Sequence, residues 1–162
     1  MKKPKFLKDW EDWVTCYVDA SYSPQTKVGT YAVWVRHDEG RVQYTGTCPP
    51  YVKDSMLAET FGVRRALDHA LQAYPRAKEV LICCDCKGAL RLCTDILEPP
   101  KGDHLTKLYE EIQDFRRRLP IRTKYVPGHG RANSPTGAFL NGWCDRAAGR
   151  IRKNIEGSKY HA

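Results

Sequence analysis

Residues 13–47 read WVTCYVDASYSPQTKVGTYAVWVRHDEGRVQYTGT, and this stretch decides the fold. Trp13–Ala20 is rich in β-branched and aromatic residues, the composition of a strand, and it closes on an acid, Asp19. Ser21–Lys27 is polar and carries a proline, so it reads as a turn. Val28–His37 and Arg41–Thr47 are two further strand-like runs, joined by Asp38-Glu39-Gly40, a hairpin-type link. Three strands in succession with short connections predict an antiparallel meander.

Beyond residue 47 the periodicity changes. Asp54 or Ser55 can cap a helix running to about Tyr74, with Pro75 just past its end. Leu57, Phe61, Val63, Leu67, Ala70 and Leu71 recur in it at helical spacing. Glu79–Cys84 is a short continuous apolar run, the mark of a strand buried on both faces. Gly88–Ile96 reads as a second helix stopped by Pro99-Pro100, and His104–Leu119 as a third with one apolar face. Ile121–Val126 is a fifth strand, Pro127–Gly137 a Gly/Pro-rich loop, and Ala138–Ile151 a basic closing helix. The order βββαβααβα predicts a mixed α/β (α+β) fold. Its five-stranded sheet has three antiparallel strands first and helices on both faces. The expected organisation is a basic lead over residues 1–12, one domain over 13–155 and a basic tail over 156–162.

The 162 residues suit a single domain. With 41% hydrophobic residues the chain can bury a core, which excludes an intrinsically disordered protein. The longest uncharged apolar runs, such as Tyr31–Val35 and Val80–Cys84, are too short to cross a bilayer. The lead, Met1-Lys-Lys-Pro-Lys-Phe-Leu-Lys, has no apolar stretch behind it and is not a secretory signal, so a cytoplasmic location is expected. Lys plus Arg exceed Asp plus Glu by 27 to 19, a net charge of +8 that favours a polyanionic partner. The seven cysteines are odd in number and fit reduced thiols. Cys83 and Cys86 form a CxxC, but Cys16, Cys48, Cys93 and Cys144 are singletons and complete no second pair for zinc.

Four carboxylates stand out by their neighbours. Asp19 ends an apolar strand, and Glu59 lies inside the apolar stripe Leu57-Ala58-Glu59-Thr60-Phe61. Asp85 follows the buried run Val80–Cys84, and Asp145 follows Trp143-Cys144 early in the last helix. Singly, each has a plainer explanation: a turn residue, a solvated helix position, a charge complementing a helix dipole. Acids set against apolar neighbours nevertheless need compensation. Converging carboxylates obtain it from a divalent cation, and an oxygen-rich site suits Mg²⁺ or Mn²⁺.

In this order the motifs resemble the ribonuclease H type 1 family over about Trp13 to Arg152. The resemblance is carried by Tyr17-Val18-Asp19-Ala20-Ser21, by Ala58-Glu59 followed by Ala66-Leu67, and by Cys84-Asp85. It continues in Val126-Pro-Gly128-His129-Gly130 and in Asn141-Gly-Trp-Cys144-Asp145-Arg-Ala-Ala148. It implies an RNase H-like fold and an endonuclease that hydrolyses the RNA strand of an RNA–DNA hybrid, leaving 5′-phosphate and 3′-hydroxyl ends. Two Mg²⁺ ions, or Mn²⁺, would be held by Asp19, Glu59, Asp85 and Asp145, with Asp19 bridging. His129, between two glycines, would transfer protons or aid product release. Ser21, Gln25, Ser55, Asn141, Arg131 and Arg146 are the expected substrate contacts. The expected protein is a monomer whose partner is the hybrid, with no membrane association.

The chain departs from the family's pattern in three places. The basic projection that many members carry between the fourth and fifth strands is missing. Backbone-holding cations must then come from the lead, Arg116–Arg118, or Arg146, Arg150, Arg152 and Lys153. Ser55 stands where asparagine often reads the RNA 2′-hydroxyl, and a serine reaches less far. Gly130–Leu140 is longer than usual. Two alternatives stay open: a nuclease of the same fold acting on structured DNA or duplex RNA, and a non-catalytic nucleic-acid-binding module. A zinc-binding interaction domain built on Cys83, Cys84 and Cys86 is a third. Cysteines beside Asp85 and Asp145 also raise the expectation of inhibition by oxidation or soft metals.

Overall fold

In a computed structural model, residues 13–37, 40–127 and 135–160 are described. The meander forms as expected: β1 (Trp13–Ser23), β2 (Val28–His37) and β3 (Gly40–Thr47) pair antiparallel. β1 runs three residues further than its composition indicated. The turn is confined to Pro24–Lys27, closed by the Lys27 N–H donating to the Ser23 carbonyl at 2.7 Å. Lys27 takes a left-handed φ of 60° to make that closure.

α1 (Ser55–Ala73) is capped by Asp54, whose Oδ1 accepts from the Leu57 N–H at 2.7 Å. It returns the chain to β4 (Glu79–Cys84), which pairs parallel with β1, and β4 pairs parallel with β5 (Ile121–Tyr125). The sheet order is β3-β2-β1-β4-β5, the mixed five-stranded arrangement expected.

Alternation along β1 assigns the two faces. Val14, Cys16 and Val18 join Val33, Val80 and Ile82 under Val63, Ala66, Leu67 and Ala70 of α1. Gly62 lets α1 approach this closely, since a Cβ there would lie 3.2 Å from Val18. On the opposite face Tyr17, Ala32, Trp34 and Cys83 pack against Leu140, Cys144, Ala147 and Ala148 of α4 (Pro135–Tyr160).

Two helices differ from expectation. α2 is only Lys87–Arg91, not Gly88–Ile96. Backbone bonds after Arg91 tighten to i→i−3, and the Thr94 hydroxyl donates to the Arg91 carbonyl at 2.7 Å, which ends the helix. α4 extends to Tyr160, through the residues expected to form a tail. α3 (Asp103–Arg118) matches its sequence pattern and buries Leu108, Ile112 and Phe115. Among the described residues no helix is long and apolar enough to cross a membrane.

Candidate metal centre

The parallel pairing of β1 and β4 builds the site. Tyr17 pairs with Cys83. Asp19, inside β1, and Asp85, one residue past the end of β4, therefore stand two residues beyond the same register point. Glu59 arrives from the second turn of α1. Each of the three acids presents an oxygen within 4.8 Å of the others' oxygens. The backbone ties them together: the Ala20 N–H donates to Asp19 Oδ1 at 3.0 Å and to Glu59 Oε1 at 3.3 Å.

The electrostatics are those of crowded buried acids. Asp19 is only 3% exposed. Burial first, then the carboxylates of Glu59, Asp85 and Asp145, push its carboxyl up to about 10. Burial also pushes Glu59 up to about 8, although hydrogen bonds with Asp19 and the Ala20 N–H pull the other way. Glu59 Oε2 is buried with no hydrogen-bond partner. An orphaned carboxylate oxygen beside two further acids fits a hard divalent cation, which takes oxygen ligands and removes the mutual repulsion.

Asp145 stands on α4, which packs against the face of β1 that carries Tyr17. It is exposed on α4 and lies outside the set formed by Asp19, Glu59 and Asp85, although its charge acts on Asp19. α4 covers the sheet face opposite α1, the face on which alternation along β1 also places Asp19 and Ser21.

The expected substrate contacts scatter. Ser55 is exposed as the first residue of α1, and Gln25 is exposed with its Oε1 accepting from the Ser23 hydroxyl at 3.0 Å. The Ser21 hydroxyl is engaged by Arg152 Nε at 2.7 Å. Arg146 is exposed on α4. His129, Arg131 and the side chain of Asn141 lie outside the described residues. Arg116 bonds to Asp95 and Gln113, Arg117 pairs with Asp114, and Arg118 lies over the Phe115 ring. That cluster is thus engaged locally.

Cys83, Cys84 and Cys144 are buried, and Cys86 is half-buried. Burial raises the thiols of Cys83 (to about 12), Cys84 and Cys144, which makes them poor nucleophiles. Among the described residues the candidate ligand set contains no cysteine, so nothing here builds a zinc site from the CxxC.

Sequence reasoning did not single out the pair beside Asp85 in which Lys87 Nζ lies 4.6 Å from the centre of the exposed Tyr125 ring. The parallel register of Cys84 with Tyr125 creates it, and no local pattern signals that register.

A family model described as reverse transcriptase-like matches residues 17–127. No curated protein matches the chain. Among solved structures, the N-terminal ribonuclease H domain of a Mycobacterium tuberculosis protein, solved as a maltose-binding-protein fusion, is similar at TM-score 0.65 and 20% identity. That match covers 91% of this chain and 98% of that one. Ribonuclease H1 from Halobacterium salinarum is similar at TM-score 0.60 and 13% identity, covering 83% and 96%. LC11 ribonuclease H1, from compost metagenomic material and solved with an RNA/DNA hybrid, is similar at TM-score 0.64 and 13% identity, covering 85% and 98%. The resemblance carried by the sequence motifs is thereby borne out at the level of fold. The chain belongs to the reverse transcriptase-like family and is built on the ribonuclease H fold.

Proposed function

We propose that this protein is a ribonuclease H, an endonuclease hydrolysing the RNA strand of an RNA–DNA hybrid to 5′-phosphate and 3′-hydroxyl ends. The observation that carries the reading is the triad of Asp19, Glu59 and Asp85 within 4.8 Å, with Glu59 Oε2 buried and unpartnered. It is supported by the fold shared with ribonuclease H1 solved on a hybrid.

Asp19, Glu59 and Asp85 would hold a divalent cation, and Asp145 would complete the set from α4. Bound Mg²⁺ or Mn²⁺ supplies charge stabilisation at a phosphate and lowers the pKa of a water. The chain's part is to present oxygens held by β1, α1 and the residue after β4, and Asp19 would be the carboxylate shared between ions. The Ala20 N–H orients two of these carboxylates at once. His129 would move a proton or speed product release. The net charge of +8 draws the polyanion to the surface. A reducing cytoplasm suits the seven free cysteines.

Choice of an RNA strand over DNA rests on the exposed Ser55 at the start of α1, whose hydroxyl can bond a 2′-hydroxyl. The test is cleavage of end-labelled hybrid, duplex RNA and duplex DNA in Mg²⁺ by wild type and Asp19→Asn. Cleavage of the hybrid's RNA strand alone, lost in the variant, is expected. Cleavage that persists in Asp19→Asn refutes the site. Duplex RNA cut as readily as hybrid refutes the substrate, and hybrid bound without cleavage in Mg²⁺ or Mn²⁺ replaces the enzyme by a binding module.

A further inference from the structure

Asp145 reaches the site from a helix on the opposite face of the sheet, so its place depends on how α4 is seated along β1. Three side-chain tethers set that seat. The buried Cys144 thiol donates to the Tyr17 carbonyl at 3.2 Å, and the Thr30 hydroxyl donates to the Ala148 carbonyl at 2.6 Å. The third is Arg152 Nε, which donates to Ser21 Oγ at 2.7 Å. Arg152 is seven residues beyond Asp145, two helical turns or about 10 Å along the same stripe. Ser21 is two residues beyond Asp19, on the same face of β1.

The sequence placed Arg152 among cations free to hold a nucleic-acid backbone, but its guanidinium is already committed. Nη1 pairs with Glu156, four residues on, at 2.5 Å, and the two side chains are only 22% and 19% exposed. A guanidinium offers donors in a fixed fork, so one group can hold Glu156 and Ser21 together. Its charge is balanced within α4 and its remaining reach is directed at β1.

We propose that Arg152 is a positioning residue: through Ser21 it fixes the register of α4 on β1, and so the place of Asp145 relative to Asp19. The consequence for metal binding rests on the function proposed above, whereas the register itself does not. The expected behaviour is that of a residue supporting a ligand from behind, whose loss weakens metal affinity or turnover about 10-fold.

The test uses full-length protein with 5-fluorotryptophan, because Trp143 of α4 stands edge-on to Trp34 of β2 at 5.1 Å and reports the register. Arg152→Met and Ser21→Ala should each shift the Trp143 fluorine resonance. Each should also weaken Mn²⁺ binding to the hybrid-free protein about 10-fold, and in Arg152→Met KM for hybrid should stay near wild type. Their effects should not add, since they break one contact. Arg152→Lys, which keeps the charge without the fork, should recover part of the affinity. An unmoved fluorine resonance overturns the proposal. So does a fall in thermal stability with Mn²⁺ affinity intact, or a rise in KM alone, which would mark Arg152 as a nucleic-acid contact. If Asp145→Asn leaves Mn²⁺ binding unchanged while the resonance still moves in Arg152→Met, the role given to Asp145 fails and the register stands.

Discussion

Replacing Asp19 by asparagine should stabilise the protein when no divalent cation is present. In the folded chain Asp19 keeps its proton up to about pH 10, because burial and the neighbouring acids penalise the charge. In the unfolded chain the same carboxyl ionises near about pH 4. Between those values the folded state binds more protons than the unfolded state. Stability is therefore fully present below about pH 4 and falls as pH rises, by about 1.4 kcal/mol per pH unit for one group. From pH 4 to pH 7.5 the ceiling is about 5 kcal/mol, and Asp19 titrates together with Glu59, so the loss belongs to the pair. An effective dielectric of about 20 around the buried pair holds the realised loss to about 2 kcal/mol. Asparagine keeps the shape and the oxygen that accepts from the Ala20 N–H, but carries no titrating proton. In EDTA at pH 7.5, Asp19→Asn should melt about 4–8 °C above wild type, with the gap closing toward pH 4.5. Circular dichroism melts at pH 4.5, 6, 7.5 and 9 measure this. A variant no more stable than wild type at pH 7.5, or a gap that does not change with pH, refutes the reasoning.

Binding of Mn²⁺ to metal-free protein at pH 7 should release about one to two protons, since the ligands must ionise; calorimetry in buffers of different ionisation heat reads the number, and zero release contradicts the raised carboxyls. Hybrid should still bind in EDTA, because protons on Asp19 and Glu59 blunt the local repulsion; fluorescence anisotropy should show steep salt dependence. A thiol reagent should label the half-buried Cys86 quickly and the other six cysteines slowly, Cys48 among them because burial pushes its thiol up to about 12, counted by absorbance and mass spectrometry. Leu67→Ala, at a fully buried position between α1 and the sheet, should cost about 2–5 kcal/mol in urea unfolding without moving the carboxylates.

The sheet and the three clustered acids were legible for one reason: both are local signals. β-branched runs mark strands, and an acid beside apolar neighbours is out of place unless the fold gives it company. Asp19, Glu59 and Asp85 each carry that signature. Asp145 carries it too, and its charge acts on Asp19, but the sequence does not show which face of the sheet its helix covers. The early end of α2 turned on one hydroxyl, Thr94, at a position where periodicity still favoured helix. The full length of α4 ran through Gly149 and Gly157, where a Cβ would meet nothing within 4 Å. Arg152 and Ser21 lie 131 residues apart, and no spacing rule connects them.

The arrangement also explains how a protein of net charge +8 tolerates an acidic centre for a polyanion. The positive charge is spread over the surface, where it acts at the range of a Debye length, about 8 Å at physiological salt. The three acids act within a few ångströms, Asp19 buried in β1 and the half-buried Glu59 and Asp85 brought to it by α1 and the end of β4. Without a cation the site does not hold three full charges, because burial keeps protons on Asp19 and Glu59 near neutral pH. Protons and divalent cations are thus alternative occupants of the same oxygens. β1, α1 and the end of β4 bring those oxygens within 4.8 Å of one another, so a cation would find its ligands already gathered and would change chiefly their charge.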